Sequence, residues 1–228
     1  MRSLNEVMAS RNMAVIGASR DPFKPGSLLL KVLKDTGYDG KVAGVNPAGG
    51  EVGGMRLHPS VFDLPFEIDL AVLIIPPRLV PAAVADCARK GAKGVVITSE
   101  GFGESGEEGR RHQEEVSKIL KQTGMRAFGP NTLGIVNTET GLTTSYFADE
   151  RMLRKGSIGF AAQSGIFVGA LLRYLASFDA LPISKGIGLG NKVDVDESDA
   201  LDFFADDAQT KTIGIYLEDV RDGKRFIE

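Results

Sequence analysis

Short apolar runs alternate with longer amphipathic stretches along most of this chain. Residues 13–16, 41–45, 68–75, 94–98 and 125–128 are the apolar runs. The clearest, 68–75, is nearly unbroken and β-branched, the pattern of a parallel strand covered on both faces. Between the runs lie residues 27–37, 80–91 and 107–123. Val80, Ala83, Val84, Cys87 and Ala88 share one helical face, as do Val116, Ile119 and Leu120, which predicts amphipathic helices. Two connections interrupt the rhythm. Gly49, Gly50, Gly53 and Gly54 predict a flexible loop, and Pro59, Asp63 and Pro65 predict an irregular crossover over 57–66. The alternation as a whole predicts a doubly wound, Rossmann-like α/β domain over residues 1–136.

Residues 137–156 hold few apolar positions and read as a long connection. The pattern then resumes with a strand over 157–162, a turn at Gln163, Ser164 and Gly165, and a helix over 165–178 burying Phe167, Ala170, Leu171 and Tyr174. A glycine-broken strand over 183–189, a helix over 198–207 burying Leu201, Phe204 and Ala208, and a buried strand over 212–217 follow. Residues 225–228 read as the opening turn of another helix. This second α/β domain, residues 137–228, is expected to have three strands, fewer than a self-sufficient sheet usually carries. Its continuation in a longer protein, or completion of its edge by another chain, is therefore expected.

Composition narrows the chemistry. With 27 basic and 30 acidic side chains there is no basic excess for nucleic acid, although Arg110 and Arg111 form a local phosphate-sized patch. No apolar run approaches the ~20 residues that span a bilayer, and no signal-type segment opens the chain, so a cytoplasmic protein without a membrane partner is expected. Cys87 is a single cysteine, and His58 and His112 give no metal-ligand spacing, so no metal site is expected.

Function should lie at the strand ends, where a doubly wound sheet collects its ligands. These are Gly17, Ala18 and Ser19; Asn46 and Pro47; Pro76 and Pro77; Ser99, Glu100 and Gly101; and Pro130 and Asn131. The first is the strongest: a strand stopped by glycine and followed by a polar turn and a helix start suits a phosphate, because it brings backbone N–H groups close to an anion. Ser164 sits at a second strand-to-helix turn. The string Ala162-Gln163-Ser164-Gly165 lacks the glycine two before the serine that a nucleophile elbow needs, so a helix cap and phosphoryl binder fits better than a hydrolytic nucleophile. Asp194, Asp196, Glu197 and Asp199 lack calcium-loop spacing and read as loop and helix-start acids. Glu218, directly after a strand, could orient a cationic imidazole. A nicotinamide dinucleotide is disfavoured: the second strand ends in Val45-Asn46-Pro47 with no acid for a ribose, and the third fingerprint glycine is missing.

In order, Val15-Ile16-Gly17-Ala18-Ser19-Arg20 with Pro22, Lys24 and Gly26, then Val45-Asn46-Pro47, Ile75-Pro76-Pro77, Ser99-Glu100-Gly101-Phe102, Gly129-Pro130-Asn131, Gln163-Ser164-Gly165 and Gly190-Asn191-Lys192-Val193-Asp194 span essentially the whole chain. Together they resemble the α-subunit side of the nucleoside-diphosphate-forming acyl-CoA synthetases, in particular the ADP-forming acetate-CoA ligases and their relative succinyl-CoA synthetase. The resemblance implies a Rossmann-like domain that binds coenzyme A, followed by an incomplete flavodoxin-like domain of the succinyl-CoA-synthetase type. It implies that the ADP-like end of CoA lies over Gly17, Ala18 and Ser19, with Asn46 and Pro47 on the adenosine or phosphate side. Pro76, Pro77, Ser99 and Glu100 would then line the pantetheine route, and Asn131 the thiol end. The family's Asn-Pro pair is often followed by lysine, whereas Ala48 stands here; Arg20, Lys24 or Lys41 is then expected to supply the cation.

The same resemblance implies the reaction acyl-CoA + ADP + phosphate to acid + ATP + CoA, through an acyl phosphate and a phosphohistidine. Ser164 and Gly165 would hold the phosphoryl group and Glu218 the histidine, which would lie outside these 228 residues. ADP, ATP and magnesium would belong to an ATP-grasp β subunit or fused domain, in an oligomeric enzyme. The chain alone is then expected to bind CoA without turnover. The alternative is a stand-alone, non-catalytic CoA-binding or regulatory module.

Overall fold

The first β-strand, β1 (Asn12–Ile16), lies near the middle of a seven-stranded sheet and shows how the sequence builds the domain. Met13 and Val15 point to one face and Ala14 and Ile16 to the other, and all four are buried. The chain is described from a computed structural model, in which residues 2–165, 174 and 182–228 are placed.

The first sheet comprises β1, β2 (Lys41–Val45), β3 (Gly50–Val52), β4 (Met55–His58), β5 (Leu70–Leu73), β6 (Gly94–Ile97) and β7 (Arg126–Phe128), in the order β3-β4-β2-β1-β5-β6-β7. All neighbours are parallel except β3 and β4. Helices α1 (Leu4–Met8) and α2 (Pro25–Asp35) cover the face of Met13 and Val15 through Val7, Leu29 and Leu30. Helices α3 (Val80–Arg89) and α4 (Glu107–Thr123) cover the other face through Val84, Cys87, Val116 and Leu120. Pro25 opens α2 at its first helical position, two residues before the periodicity alone places it, because a proline with no N–H fits the first turn.

The glycine-rich stretch expected to be a flexible loop is instead the β3–β4 hairpin, and β4 extends into the segment expected to be irregular. Gly53 and Gly54 form its two-residue turn with φ of +56° and +79°, the conformation a tight hairpin needs. Val52 and Leu57 are buried, so the hairpin adds to the core and extends the sheet beyond β2.

The second sheet has five described strands rather than three: β8 (Ile135–Asn137), β9 (Leu142–Thr143), β10 (Ile158–Ala162), β11 (Ile183–Gly188) and β12 (Thr212–Tyr216), ordered β12-β10-β11-β8-β9. β8 and β9 arise in and just before the expected connection and pair antiparallel, β8 against β11. Ile135, Val136 and Leu142 are buried on them, and the polar Thr143, Thr144 and Ser145 are buried with hydrogen bonds, as where Thr144 Oγ1 accepts from Ile135 N at 2.8 Å. β12, expected to be buried, is an edge strand with Ile213 and Ile215 exposed. The helix after Gly165 lies outside the described residues apart from Tyr174, whose side chain is exposed rather than buried.

Helix α5 (Glu197–Asp206) begins with a capping box between Asp196 and Asp199, so these acids serve the helix start. It buries Ala200, Phe203 and Phe204, while Leu201 is half-buried and Ala208 exposed. A last turn, α6 (Gly223–Ile227), closes the chain.

The two sheets are fastened together. Arg126 at the end of the first sheet is buried and donates to Asp194 at 2.8 Å and Asp199 at 2.7 Å. Asn137 Nδ2 donates to Met8 O at 2.8 Å, and the 189–195 segment runs along the end of β7, with Val193 N donating to Gly129 O at 2.9 Å.

Candidate functional site

The turn after β1 is built by backbone constraint. Gly17 has φ +98°, and a Cβ there would lie 2.0 Å from Ile74 O, so glycine alone allows β1 and β5 to end side by side. Gly26, in the first turn of α2, packs against Gly17 O and lets the helix start approach. Ser27 Oγ donates to Ser19 O at 2.7 Å and accepts from Ser19 N at 3.0 Å, tying the turn to the helix. From the neighbouring strand end, Asn46 Nδ2 donates to Ala18 O at 2.7 Å. Arg20 and Lys24 are exposed around the turn and enter no ion pair among the described residues. Gly50, lacking a Cβ, makes room for the Arg20 stem. Gly17 N and Ser19 N are already bonded to Val45 O and Ser27 Oγ, so what the turn offers a phosphate group is the exposed Arg20 and Lys24 side chains.

The other expected strand ends follow in spatial order. Pro76 and Pro77 end β5, and Ser99 after β6 donates its hydroxyl to Ile75 O. Asn131, in the left-handed region at φ +61°, donates its N–H to Ser99 O at 2.9 Å. From the end of β2 to that of β7 there are four inter-strand steps, about 19 Å at ~4.8 Å each. The Gly17 turn follows β1, three steps or about 14 Å from the end of β7, so a ligand of that length laid across these ends would join it to Asn131.

Asn131 lines a cavity of about 500 Å³ where the two domains meet. Ser164, Gly165 and Glu218 line the same cavity, so the structure brings together four residues separated by up to 87 positions. Residues without an assigned role in the sequence complete it: Leu133, Tyr146, Phe147 and Asn191. Burial pushes the Tyr146 phenol above its usual range, and the charge of Glu100 pushes it further. Asn191 donates to Glu104, whose carboxylate also accepts from Gly101 N at 2.6 Å, so the second domain is linked to the loop after β6.

Gln163 fixes the far wall. Its Oε1 accepts from Glu218 N at 3.0 Å and Asp219 N at 3.2 Å, and its Nε2 donates to Asp219 Oδ1 at 2.7 Å. Beneath it, Lys192 Nζ bonds Asp219 O at 2.9 Å and pairs with the buried Glu197 at 3.0 Å. Glu197 also accepts from Arg221 N at 2.6 Å. Burial works to raise the Glu197 carboxyl, but the N–H groups of Glu197 and Arg221 and the Lys192 ammonium outweigh it and hold it below the usual range. The backbone around Glu218 is thus clamped while its side chain stays exposed at the cavity. The Gly-Asn-Lys string at 190–192 was the available sequence signal for this clamp: Gly190 and Lys192 both take positive φ, and a Cβ on Gly190 would lie 2.1 Å from Pro130 O. The Arg110–Arg111 patch is not a free phosphate site throughout, since Arg111 pairs with Glu107. His58 and His112 lie on β4 and α4, and neither lines the cavity.

Residues 11–138 match the CoA binding domain family. The chain belongs to that family. Residues 155–228 match the succinyl-CoA ligase like flavodoxin domain, giving a two-domain architecture of an N-terminal CoA-binding domain and a C-terminal flavodoxin-like domain. The chain is 42% identical over 226 residues to "Acetate--CoA ligase [ADP-forming] II" of Archaeoglobus fulgidus, covering 99% of this chain and 33% of that protein. It is 41% identical to the α subunit of the Pyrococcus furiosus acetate-CoA ligase (ADP-forming) II, covering 96% of this chain and 47% of that one. Among solved structures, the dinucleotide forming acetyl-coenzyme A synthetase 1 of Candidatus Korarchaeum cryptofilum, in complex with phosphate and ADP, superposes with a TM-score of 0.91 at 35% identity, over 100% of this chain and 48% of that chain. The CoA-binding chain thus matches the α-subunit portion of the ADP-forming acetate-CoA ligases and spans one third to one half of the length of these relatives. No helix among the described residues is long and apolar enough to cross a membrane.

Proposed function

We propose that the chain is the coenzyme A-binding portion of an ADP-forming acyl-CoA ligase, acting in the cytoplasm within a larger assembly. The observation that carries this reading is the continuity from the Gly17 turn, along the strand ends, to a cavity holding Asn131, Ser164 and Glu218. The phosphates of CoA lie at Gly17, Ala18 and Ser19 with Arg20 and Lys24, which take the place of a cation at Ala48. Asn46 and Pro47 flank the adenosine side, Pro76, Pro77, Ser99 and Glu100 line the pantetheine arm, and Asn131 meets the thiol end. The boundary between the CoA-binding and ligase parts falls at about residue 136.

At the cavity the residues divide the work of acyl-CoA + ADP + phosphate to acid + ATP + CoA. Backbone N–H groups at Ser164 and Gly165 hold a phosphoryl group, and the Glu218 carboxylate orients the imidazole that carries it. Neither His58 nor His112 lines the cavity, which supports a histidine supplied from beyond these 228 residues. ADP, ATP and magnesium then belong to an ATP-grasp subunit or fused domain. Calorimetric titration of the folded chain with CoA tests the reading. Saturable binding, abolished by Gly17→Ala, is expected; a folded chain that takes up no CoA would refute it.

A further inference from the structure

Phe23 is the exposed aromatic side chain that the fold leaves without a partner among the described residues. The residue is 83% exposed. The other exposed aromatics are engaged: Phe62 lies under the Arg89 guanidinium at 5.2 Å, Phe147 packs on Tyr146 at 4.5 Å, and Tyr174 has a contact of its own. Phe23 has none, although leaving a ring in water forgoes a large burial term.

Its place is specific. Phe23 stands in the turn between β1 and α2, with exposed, unpaired cations three positions before it (Arg20) and one after it (Lys24). The backbone beneath it is held by its own hydrogen bonds: Asp21 N donates to Ser19 Oγ at 3.1 Å, and Phe23 N to Asp21 Oδ1 at 2.9 Å. The ring is thus presented by a tied turn rather than by packing. An apolar ring set between free cations matches a ligand that joins an aromatic base to phosphates. Coenzyme A has one aromatic group, its adenine, on the same end as its phosphates.

We infer that Phe23 stacks on the adenine of bound CoA and selects the nucleotide-bearing form over the bare pantetheine arm. The inference rests on the proposal that the Gly17 turn holds the CoA phosphates. Base–aromatic stacking of ordinary strength corresponds to roughly a 5- to 150-fold change in affinity.

The sequence contains no tryptophan, so Phe23→Trp creates a single tryptophan reporter, excited at a wavelength where the four tyrosines absorb little. Its emission is expected to be quenched saturably by CoA and by dephospho-CoA. Phosphopantetheine, which lacks the adenine, should leave the emission unchanged. In calorimetry Phe23→Ala should weaken CoA binding at least fivefold and leave phosphopantetheine binding as it is in the parent chain; the exposed position should leave the melting temperature unmoved. Equal CoA affinity in Phe23→Ala and the parent, or unchanged tryptophan emission at a CoA concentration that calorimetry shows to be saturating, would overturn the stacking while leaving the CoA reading intact. Failure of the parent chain to bind CoA would overturn both.

Discussion

Lys192→Met should destabilise the chain more than an ordinary surface change, and the structure sets the size of the effect. The Lys192 side chain is 2% exposed and its partner Glu197 0%; the lysine's second ionic partner, Asp219, is 66% exposed and adds little because water screens it. Removing one member of a buried pair leaves the other charge uncompensated, at about 3–5 kcal/mol. With a urea dependence of about 2–3 kcal/mol per molar, the unfolding midpoint, followed by circular dichroism, should fall by roughly 1–2.5 M. The double variant Lys192→Met, Glu197→Leu replaces the pair by apolar groups. It should regain most of that loss, short of the ~1–3 kcal/mol from leaving Arg221 N without its acceptor. Acid provides a second check. Glu197 is held below its usual range, so its contribution is fully present above the unfolded value of ~4.3 and fades as pH falls through the lower folded value. The gap between parent and Lys192→Met should therefore narrow as the solution is acidified below about pH 4.5. A midpoint shift under ~0.3 M, or a double variant as unstable as the sum of the singles, would refute the buried clamp.

Arg126→Met strands the largely buried Asp194 carboxylate, while Asp199 keeps its pairing with Arg225, and should cost about 3–5 kcal/mol in urea unfolding; a loss below ~1 kcal/mol would mean that the fastening between the sheets lies elsewhere. Gly190→Ala forces a side chain into positive φ and to within 2.1 Å of Pro130 O, so a loss above ~2 kcal/mol is expected, and a neutral variant would contradict the tight 189–191 crossing. Burial pushes the Cys87 thiol up to about 12, helped by Asp86, so a thiol reagent at pH 8 should leave the native chain unlabelled and modify one group per chain in guanidinium; rapid native labelling would contradict the buried face of α3.

The first domain was legible because its strands are covered on both faces. Runs such as 70–73 must be apolar throughout, and the helices that cover them must be amphipathic, so both signals are strong. The hairpin at 50–58 is hidden in the sequence because four glycines resemble a loop, while the two residues that decide its burial, Val52 and Leu57, stand five positions apart across the turn. β8 and β9 are hidden for a different reason. They are three and two residues long, and Asn137, Thr143 and Thr144 are buried through hydrogen bonds that no apolar periodicity announces. The edge position of β12 is not legible because β-branched residues mark a strand without saying which of its sides has a neighbour.

The candidate site divides along the same line. Gly17, Asn46, Asn131 and Ser164 could be named because each follows a strand, and strand ends can be read one at a time. Tyr146, Phe147 and Asn191 come to the cavity through antiparallel pairing and the 189–195 crossing, which are relations between distant segments. The clamp on Glu218 is the extreme case: Gln163, Lys192, Glu197 and Asp219 are individually ordinary polar residues, and the pairing of all four and the burial of Lys192 and Glu197 exist only once β10, β11 and β12 are side by side. An acid could be placed after β12 from local pattern, but the reason it stays at the cavity wall is non-local. It follows that substitutions at the clamp should move the Glu218 backbone without touching the CoA turn. The two halves of the proposed function can therefore be separated by mutation within one folded chain.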